Sequence, residues 1–293
     1  MRIGVVYPQN ELGHDAGDVR EFAQASEALG YTHLLAYDHV LGASTRTRPD
    51  WQGAYQLDDT FHEVFALFAF VAGITTTLEL ATAVLILPQR QTALVAKQTA
   101  AVDVLSRGRL RLGVGTGWNK VEYDGLGQDF HTRGRRLEEQ IALLRALWTE
   151  EEVTFAGKWD TIDRAGIRPL PVQRPIPIWI GGYAEVAVRR AGRLADGYFP
   201  GGHPWPVVEG HLATLRDELA KQGRDPSTFP IEPRLSLASG DEESWARDAR
   251  HWRDLGATHL SLTTMNAGCA NVTDHVTLMQ RGKQALADLA DRP

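Results

Sequence analysis

Residues 109–127 read RLRLGVGTGWNKVEYDGLG, a strand-like run that ends in alternate glycines and continues into two aromatic residues and two carboxylates. Gly113, Gly115 and Gly117 do not form a dinucleotide fingerprint, because its third glycine would have to stand at Trp118. A Walker loop is excluded as well, since no Gly-Lys-Ser/Thr follows. The glycines therefore mark either a tight strand-to-helix turn or a place where the backbone must approach a flat ligand.

The rest of the chain alternates in the same way between short β-branched runs and helical patterns. The candidate strands are IGVVY, THLLAYD, LELATAVLIL, RLRLGVG, PIPIWIG, DGYFP, IEPRLSLA and THLSLTT. Between them lie helical patterns, and VFALFAFVAGI reads as a buried helix too short to span a bilayer. Eight β–α units in 293 residues predict one α/β domain over 1–293, a (β/α)8 TIM barrel. An open doubly wound sheet is the alternative.

One stretch, residues 150–174, breaks this alternation. VTFAGKWDTI predicts a hairpin around Ala156 and Gly157, and the proline-rich extended segment PLPVQRPIP follows it. We expect an insertion at about residues 150–175, between the fourth and fifth units, and not a linker between domains.

The composition narrows the class of protein. A hydrophobic content of 43% suits a packed core, and a modest net charge of −6 argues against a nucleic-acid surface. Cys269 is the only cysteine, so no internal disulfide can form, which favours a reducing compartment. The opening MRIGVVYPQN reads as a strand and not as a signal peptide. We expect a cytoplasmic protein that binds neither nucleic acid nor membrane.

Two strand ends carry candidate functional residues. Asp38 and His39 close the second strand, where such a pair can orient an imidazole for proton donation. The fifth strand ends in Gly181 and Gly182, and a helix begins near Ala184, so its free N–H groups can hold an anion. The alternatives are a structural histidine at the first position and a plain strand–helix turn at the second.

Metal and serine chemistry are poorly supported. His62 and Glu63 begin like a zincin motif, but Ala66 stands where the second histidine should be. No G-x-S-x-G motif exists for a nucleophilic serine. We predict no metal site.

Together these segments resemble the bacterial luciferase-like superfamily, in particular its flavin- and deazaflavin-dependent oxidoreductases. The resemblance covers nearly the whole chain, and the order and spacing of its motifs carry it. The motifs are YDHV, ATAVLILPQRQTALVAKQTAAVDVLSRGRLRLGVGTGWNKVEYDGLG, FHTRGRRLEEQIALLRALW, and RPIPIWIGG followed by ADGYF. The subfamily that the chain most resembles uses coenzyme F420, a deazaflavin that transfers hydride. Close relatives bind reduced FMN and oxygenate their substrates.

The resemblance implies where the cofactor would bind. Its tricyclic ring would lie across the C-terminal mouth of the barrel, backed by a bulge with a non-proline cis peptide at Ala83–Val84. Gly115 and Thr116 would border the ring, and the phosphate would rest on Gly181 and the following backbone. The cofactor-binding residues implied are Asp38, Ala83, Val84, Gly115, Thr116, Asn119, Gly181, Gly182 and Tyr183.

The resemblance also implies a reaction. His39 would be the catalytic residue in hydride transfer between coenzyme F420 and a small, rather apolar organic substrate. Trp118 would line the substrate pocket, where the sugar-phosphate dehydrogenase branch has a catalytic glutamate, so sugar-phosphate oxidation is disfavoured. The alternatives are a reduced-FMN-dependent monooxygenase of a two-component system and a non-catalytic flavin-binding barrel. The implied partners are the substrate, a separate flavin or F420 reductase, and a second copy in a homodimer.

Overall fold

The computed structural model of the protein describes residues 1–202 and 204–290. Its strands are β1 (Arg2–Val6), β2 (His33–Ala36), β3 (Glu79–Thr82), β4 (Leu85–Ile86), β5 (Leu110–Gly115), β6 (Val153–Ala156), β7 (Thr161–Ala165), β8 (Ile178–Gly181), β9 (Gly197–Phe199), β10 (Arg234–Ser236) and β11 (His259–Thr263). Its α-helices are α1 (Ala16–Ala28), α2 (Val64–Ile74), α3 (Thr92–Leu105), α4 (Lys120–Gly125), α5 (Arg133–Thr149), α6 (Glu185–Leu194), α7 (Trp205–Lys221), α8 (Glu242–Asp254) and α9 (Val272–Ala285).

The parallel strands form a ring. Their order is β10, β11, β1, β2, β3, β5, β8, β9, with β4 continuing β3 alongside β5. A parallel bridge between Tyr198 on β9 and Ile231 closes the ring, because the segment at Ile231 also accepts the His259 N–H of β11. The predicted (β/α)8 barrel is confirmed, and the doubly wound alternative is wrong.

Helices cover the outside of the ring because each presents an apolar face to it. In α5, Leu137, Ile141, Leu144 and Trp148 recur at helical spacing and are all buried. α2 reproduces the predicted buried segment VFALFAFVAGI. Within the described ranges, 1–202 and 204–290, no helix combines the length and the hydropathy that crossing a membrane requires.

The predicted insertion is a hairpin between α5 and β8. Strands β6 and β7 pair antiparallel, apart from the barrel sheet. Its turn is clamped to α5 by the Glu139 carboxylate, which accepts the N–H groups of Lys158, Trp159 and Asp160 at 2.7, 2.8 and 2.9 Å. The hairpin is therefore held against α5 on the outside of the barrel.

Paired charges fill the N-terminal half of the barrel. Arg111 donates to Glu79 at 2.7 Å and to Glu232 at 2.5 Å, and its guanidinium lies 4.1 Å from the centre of the Trp179 ring. His33 also bonds Glu232, and Gly4 leaves room for this imidazole, because a Cβ there would lie 2.1 Å from its ring. Toward the C-terminal end, the inward side chains become mostly small or apolar, as at Ala81, Ala83, Leu35 and Met265. Charge pairs thus occupy the N-terminal half of the barrel, whereas small and apolar side chains line most of its C-terminal mouth.

Candidate active site

A cavity of about 190 Å³ opens at the C-terminal mouth of the barrel. It lies between the tip of β2, the long loop that follows it, and the start of α4, with His39, Leu41, Tyr55, Phe61 and Asn119 in its wall. Active sites of (β/α)8 enzymes lie on this face, because the loops there can vary without disturbing the barrel. The cavity is the candidate active site.

Aromatic side chains surround the His39 imidazole. The ring centres of Phe61, Tyr55 and Trp118 lie 4.8, 5.0 and 5.7 Å from that of His39. Trp51 lies in the loop after β2, and its ring centre is 5.7 Å from that of Trp118, so it enlarges the cluster. An imidazole in such a cage has restricted contact with water, so its few polar contacts fix its orientation.

The principal polar contact of His39 is Glu122. This carboxylate is buried, and its Oε2 lies 3.3 Å from His39 Nδ1. Its Oε1 accepts the backbone N–H groups of Val40 at 2.5 Å and Leu41 at 3.1 Å. Burial alone would raise the pKa of Glu122, but the His39 hydrogen bond and charge, with the two amides, hold it below its usual value. An ionised carboxylate only accepts hydrogen bonds, so Nδ1 of His39 carries a proton and Nε2 is left for a ligand.

Asn119 fixes the helix that presents Glu122. Its Oδ1 accepts the N–H groups of Val121 at 3.1 Å and Glu122 at 3.4 Å, which caps α4. Its Nδ2 donates to the Leu41 carbonyl at 3.3 Å, so the same residue ties α4 to the loop after β2. Asn119 lines the cavity while its polar atoms bond other protein groups, and its contact with a cofactor stays a prediction.

Asp38 supports the bulge between β3 and β4. Its carboxylate is buried and accepts the Ile86 N–H at 3.0 Å and Arg90 Nη2 at 2.6 Å. The Ala83–Val84 peptide within that bulge is cis, as predicted. Both Asp38 oxygens thus have protein partners, and its contact with a cofactor stays a prediction.

Glycines at the ends of β5 and β8 leave room for the side chains of this bulge and of β4. A Cβ on Gly115 would lie 2.5 Å from Val84 Cγ2, and one on Gly181 would lie 2.7 Å from Val84 Cγ1. Gly117 has a positive φ of 62°, and a Cβ there would lie 2.8 Å from Ile86. The tips of β5 and β8 therefore close around Val84, and the missing Cβ of Gly117 leaves room for the Ile86 side chain. The contact of Gly115 and Thr116 with a cofactor ring stays a prediction.

The segment predicted to hold an anion lies at the start of α6, and its contact with an anion stays a prediction. Gly182 has a φ of +149°, and its carbonyl accepts the Tyr198 hydroxyl at 2.6 Å. The helix begins at Glu185 after Ala184, and no side-chain cap accepts the amides of its first turn. Tyr183 is 58% exposed beside them.

The family model of the luciferase-like monooxygenases matches residues 1–289. The chain belongs to this family. It is 38% identical over 207 residues to an uncharacterised protein of Mycobacterium tuberculosis, a match that covers 68% of this chain and 71% of that one. It is 31% identical over 267 residues to an F420-dependent glucose-6-phosphate dehydrogenase of Nakamurella multipartita, covering 87% and 73% of the two chains. It is 30% identical over 231 residues to an FMNH2-dependent dimethylsulfone monooxygenase of Pseudomonas fluorescens, covering 78% and 59%.

A solved structure shows the same luciferase-like fold. An F420-dependent secondary alcohol dehydrogenase in complex with an F420–acetone adduct superimposes with a TM-score of 0.81 over 99% of both chains. Its sequence is 16% identical, so this likeness concerns the fold alone. Luciferase-like relatives thus include F420-dependent and FMNH2-dependent enzymes.

Two residues of this luciferase-like site were missed by sequence reasoning. Glu122 stands three positions after the cap Asn119, and that spacing predicts only a local contact across the first helical turn, not the contact with His39. Arg90 carried no local signal, because its partners Asp38 and Glu63 come from distant parts of the chain.

Proposed function

We propose that this chain is a coenzyme F420-dependent oxidoreductase that transfers a hydride between the deazaflavin and a small organic substrate. The observation that carries the proposal is the His39–Glu122 pair in its aromatic cage, at the mouth beside the Ala83–Val84 bulge. F420-dependent dehydrogenases among the relatives support the choice of coenzyme.

The residues present fit such a coenzyme. The bulge places Ala83 and Val84 at the mouth, where they would back a flat ring. The uncapped first turn of α6, reached through Gly181 and Gly182, would hold the phosphate by backbone N–H groups. When bound there, the deazaflavin would supply the hydride chemistry.

The chain itself would supply the proton chemistry. His39 Nε2 would give a proton to the substrate oxygen, or take one from it, as the adjacent carbon changes oxidation state. Glu122 would hold the opposite side of the ring as an ionised acceptor and stabilise the imidazolium. Tyr55, Phe61 and Trp118 would exclude water from this exchange.

Titration of tryptophan fluorescence tests the coenzyme. Trp118 and Trp51 lie at the mouth, so a ring bound there should quench them. We expect F420 to bind with micromolar or tighter affinity and FMN to bind more weakly. Trp118→Phe should reduce the quench without changing the affinity measured by calorimetry. Tight binding of FMN with no response to F420 would refute the proposal.

A reduced-FMN-dependent monooxygenase is the second candidate, favoured by the dimethylsulfone monooxygenase relative. It would work with a separate reductase and would oxygenate an organic substrate when reduced FMN and oxygen are supplied. The proposed F420 enzyme would not. A non-catalytic flavin-binding barrel would bind a cofactor and turn over nothing. We further propose that the protein acts as a cytoplasmic homodimer.

A further inference from the structure

Arg234 projects into the open half of the barrel. It lies on β10 with Ser236, and both are exposed, whereas Leu235 between them is buried under the outer helices. Arg234 lies opposite Ser261 of β11, whose hydroxyl donates to Glu232 inside the barrel, so Arg234 belongs to the inward face of β10. An exposed side chain on that face lines the open mouth of the barrel.

Arg234 differs from the enclosed arginines that serve the fold. Each of those has a carboxylate partner at 2.9 Å or less. The pairs are Arg90–Asp38, Arg111–Glu232 and Arg190–Glu138. Across residues 1–202 and 204–290, no carboxylate lies within 4.0 Å of Arg234. The charge of this guanidinium is therefore left without a direct counter-ion in the described protein.

Glu232, on the same face of the same segment, is not available to neutralise it. Its carboxylate already accepts hydrogen bonds from Arg111 Nη1 at 2.5 Å, His33 Nε2 at 2.8 Å and Ser261 Oγ at 2.5 Å. This carboxylate is fully buried among those partners. The local charge balance of the N-terminal half is complete without Arg234.

The guanidinium instead faces phenol rings that lead to His39. Arg234 Cζ lies 5.3 Å from the centre of the Tyr37 ring, and the ring centres of Tyr37 and Tyr55 are 6.4 Å apart. The ring centre of Tyr55 in turn lies 5.0 Å from that of His39. Arg234 and His39 therefore border one aromatic-lined mouth, with a cation at one side and a proton carrier at the other.

We propose that Arg234 binds a carboxylate of the organic substrate, so that the enzyme acts on compounds with an apolar body and one anionic group. A guanidinium meets a carboxylate through two parallel hydrogen bonds, which fixes orientation as well as affinity. The apolar body would lie against the aromatic cage of His39. This inference rests on the proposed function for the position of the substrate. An anionic group of the coenzyme is the other possible source of the same chemistry, and the experiment separates the two.

The test compares phenylacetate with phenylacetamide, which have the same shape but differ in charge, by calorimetry without coenzyme. We expect the wild-type protein to bind phenylacetate at least about tenfold more tightly than phenylacetamide, because charge-assisted hydrogen bonds are stronger than neutral ones. Arg234→Met should abolish that preference and leave phenylacetamide binding unchanged. Arg250→Met is the matched control, because Arg250 pairs with Asp288 on the surface of α8 and its loss changes only the net charge.

Equal binding of the two compounds by the wild type, or a preference that survives in folded Arg234→Met, would overturn the proposal. A loss of F420 affinity in Arg234→Met, with no carboxylate preference in the wild type, would assign Arg234 to the coenzyme and overturn it as well. Arg234→Gln, which keeps polarity and most of the length, takes the place of Arg234→Met if circular dichroism shows that the latter is unfolded. Failure of the F420 titration alone would refute the proposed function without touching the carboxylate comparison.

Discussion

Replacing Glu122 by glutamine tests whether this residue sets the protonation of His39. In the wild type, Oε1 accepts the amides of Val40 and Leu41, while Oε2 faces His39 Nδ1 at 3.3 Å. A glutamine has one acceptor oxygen, which the two amides require. Its NH2 group must then face Nδ1, where the wild-type imidazole carries a proton. The substitution therefore places a donor against a donor unless His39 changes tautomer.

The size of the effect follows from that single contact. A buried polar group without a partner costs about 1–3 kcal/mol, so His39 should shift its proton to Nε2. Cationic His39 keeps a proton on both nitrogens and should be destabilised by the same amount. If proton donation limits turnover, kcat should fall by about 5- to 150-fold. The coenzyme affinity should hardly change, because the buried Glu122 carboxylate bonds only groups of the β2 tip and the loop after it in the described protein.

Nitrogen NMR of histidine-labelled protein measures the tautomer directly, and His39→Ala assigns the His39 signal among the 10 histidines. The wild type should show a proton on Nδ1, and Glu122→Gln should show it on Nε2. Asp124→Asn is the control, because Asp124 lies on the same helix, is exposed, and pairs with Lys120. If Nδ1 keeps its proton in folded Glu122→Gln, the carboxylate merely anchors the loop and the reasoning is wrong.

Three further predictions concern other parts of the barrel. His39→Ala should lower kcat by about 10²–10⁴-fold with little change in coenzyme affinity, and full turnover of the variant would make His39 structural. Gly182→Ala should weaken binding of phosphorylated coenzyme by about 1–3 kcal/mol and spare the dephosphorylated analogue in calorimetry, whereas equal losses would place the phosphate elsewhere. Burial and the nearby Arg111 charge lower the pKa of His259 to about 3. The unfolded chain therefore takes up this proton first as the pH falls below 6.5, and urea unfolding should show a loss of up to about 1.4 kcal/mol per pH unit that His259→Gln removes.

The barrel could be predicted from the sequence because its signals are local. Each strand candidate is a short apolar run, and each helix between them repeats its apolar residues at helical spacing. The break at residues 150–174 was visible for the same reason, since Ala156 and Gly157 give a turn signal between strand-like runs. The interruption of the third strand at Ala83–Val84 carried no such signal in the residues and came only with the family resemblance.

The site was predictable only in part, because its contacts join distant segments. His39 could be placed at a strand tip, but its partner Glu122 lies on another β–α unit, and only the fold brings the two together. The glycine loop shows the same limit. Its residues suggested an approach to a flat ligand, whereas the space beside Gly115 is taken by Val84, 31 residues earlier in the chain. A missing Cβ indicates that something comes close, and the sequence alone does not say what.

The position of an inward charged side chain along the barrel axis decides whether the protein must neutralise it or a ligand can bind it. Arg111 is almost fully buried in the N-terminal half, so Glu79 and Glu232 must neutralise its charge. Arg234 is exposed in the open half, where water can solvate a charge that no carboxylate of the described protein contacts. The unpaired state is tolerable only while the mouth is wet. A ligand that fills the mouth and displaces this water must therefore replace its hydrogen bonds to Arg234, which selects for an anionic group at that end of the pocket.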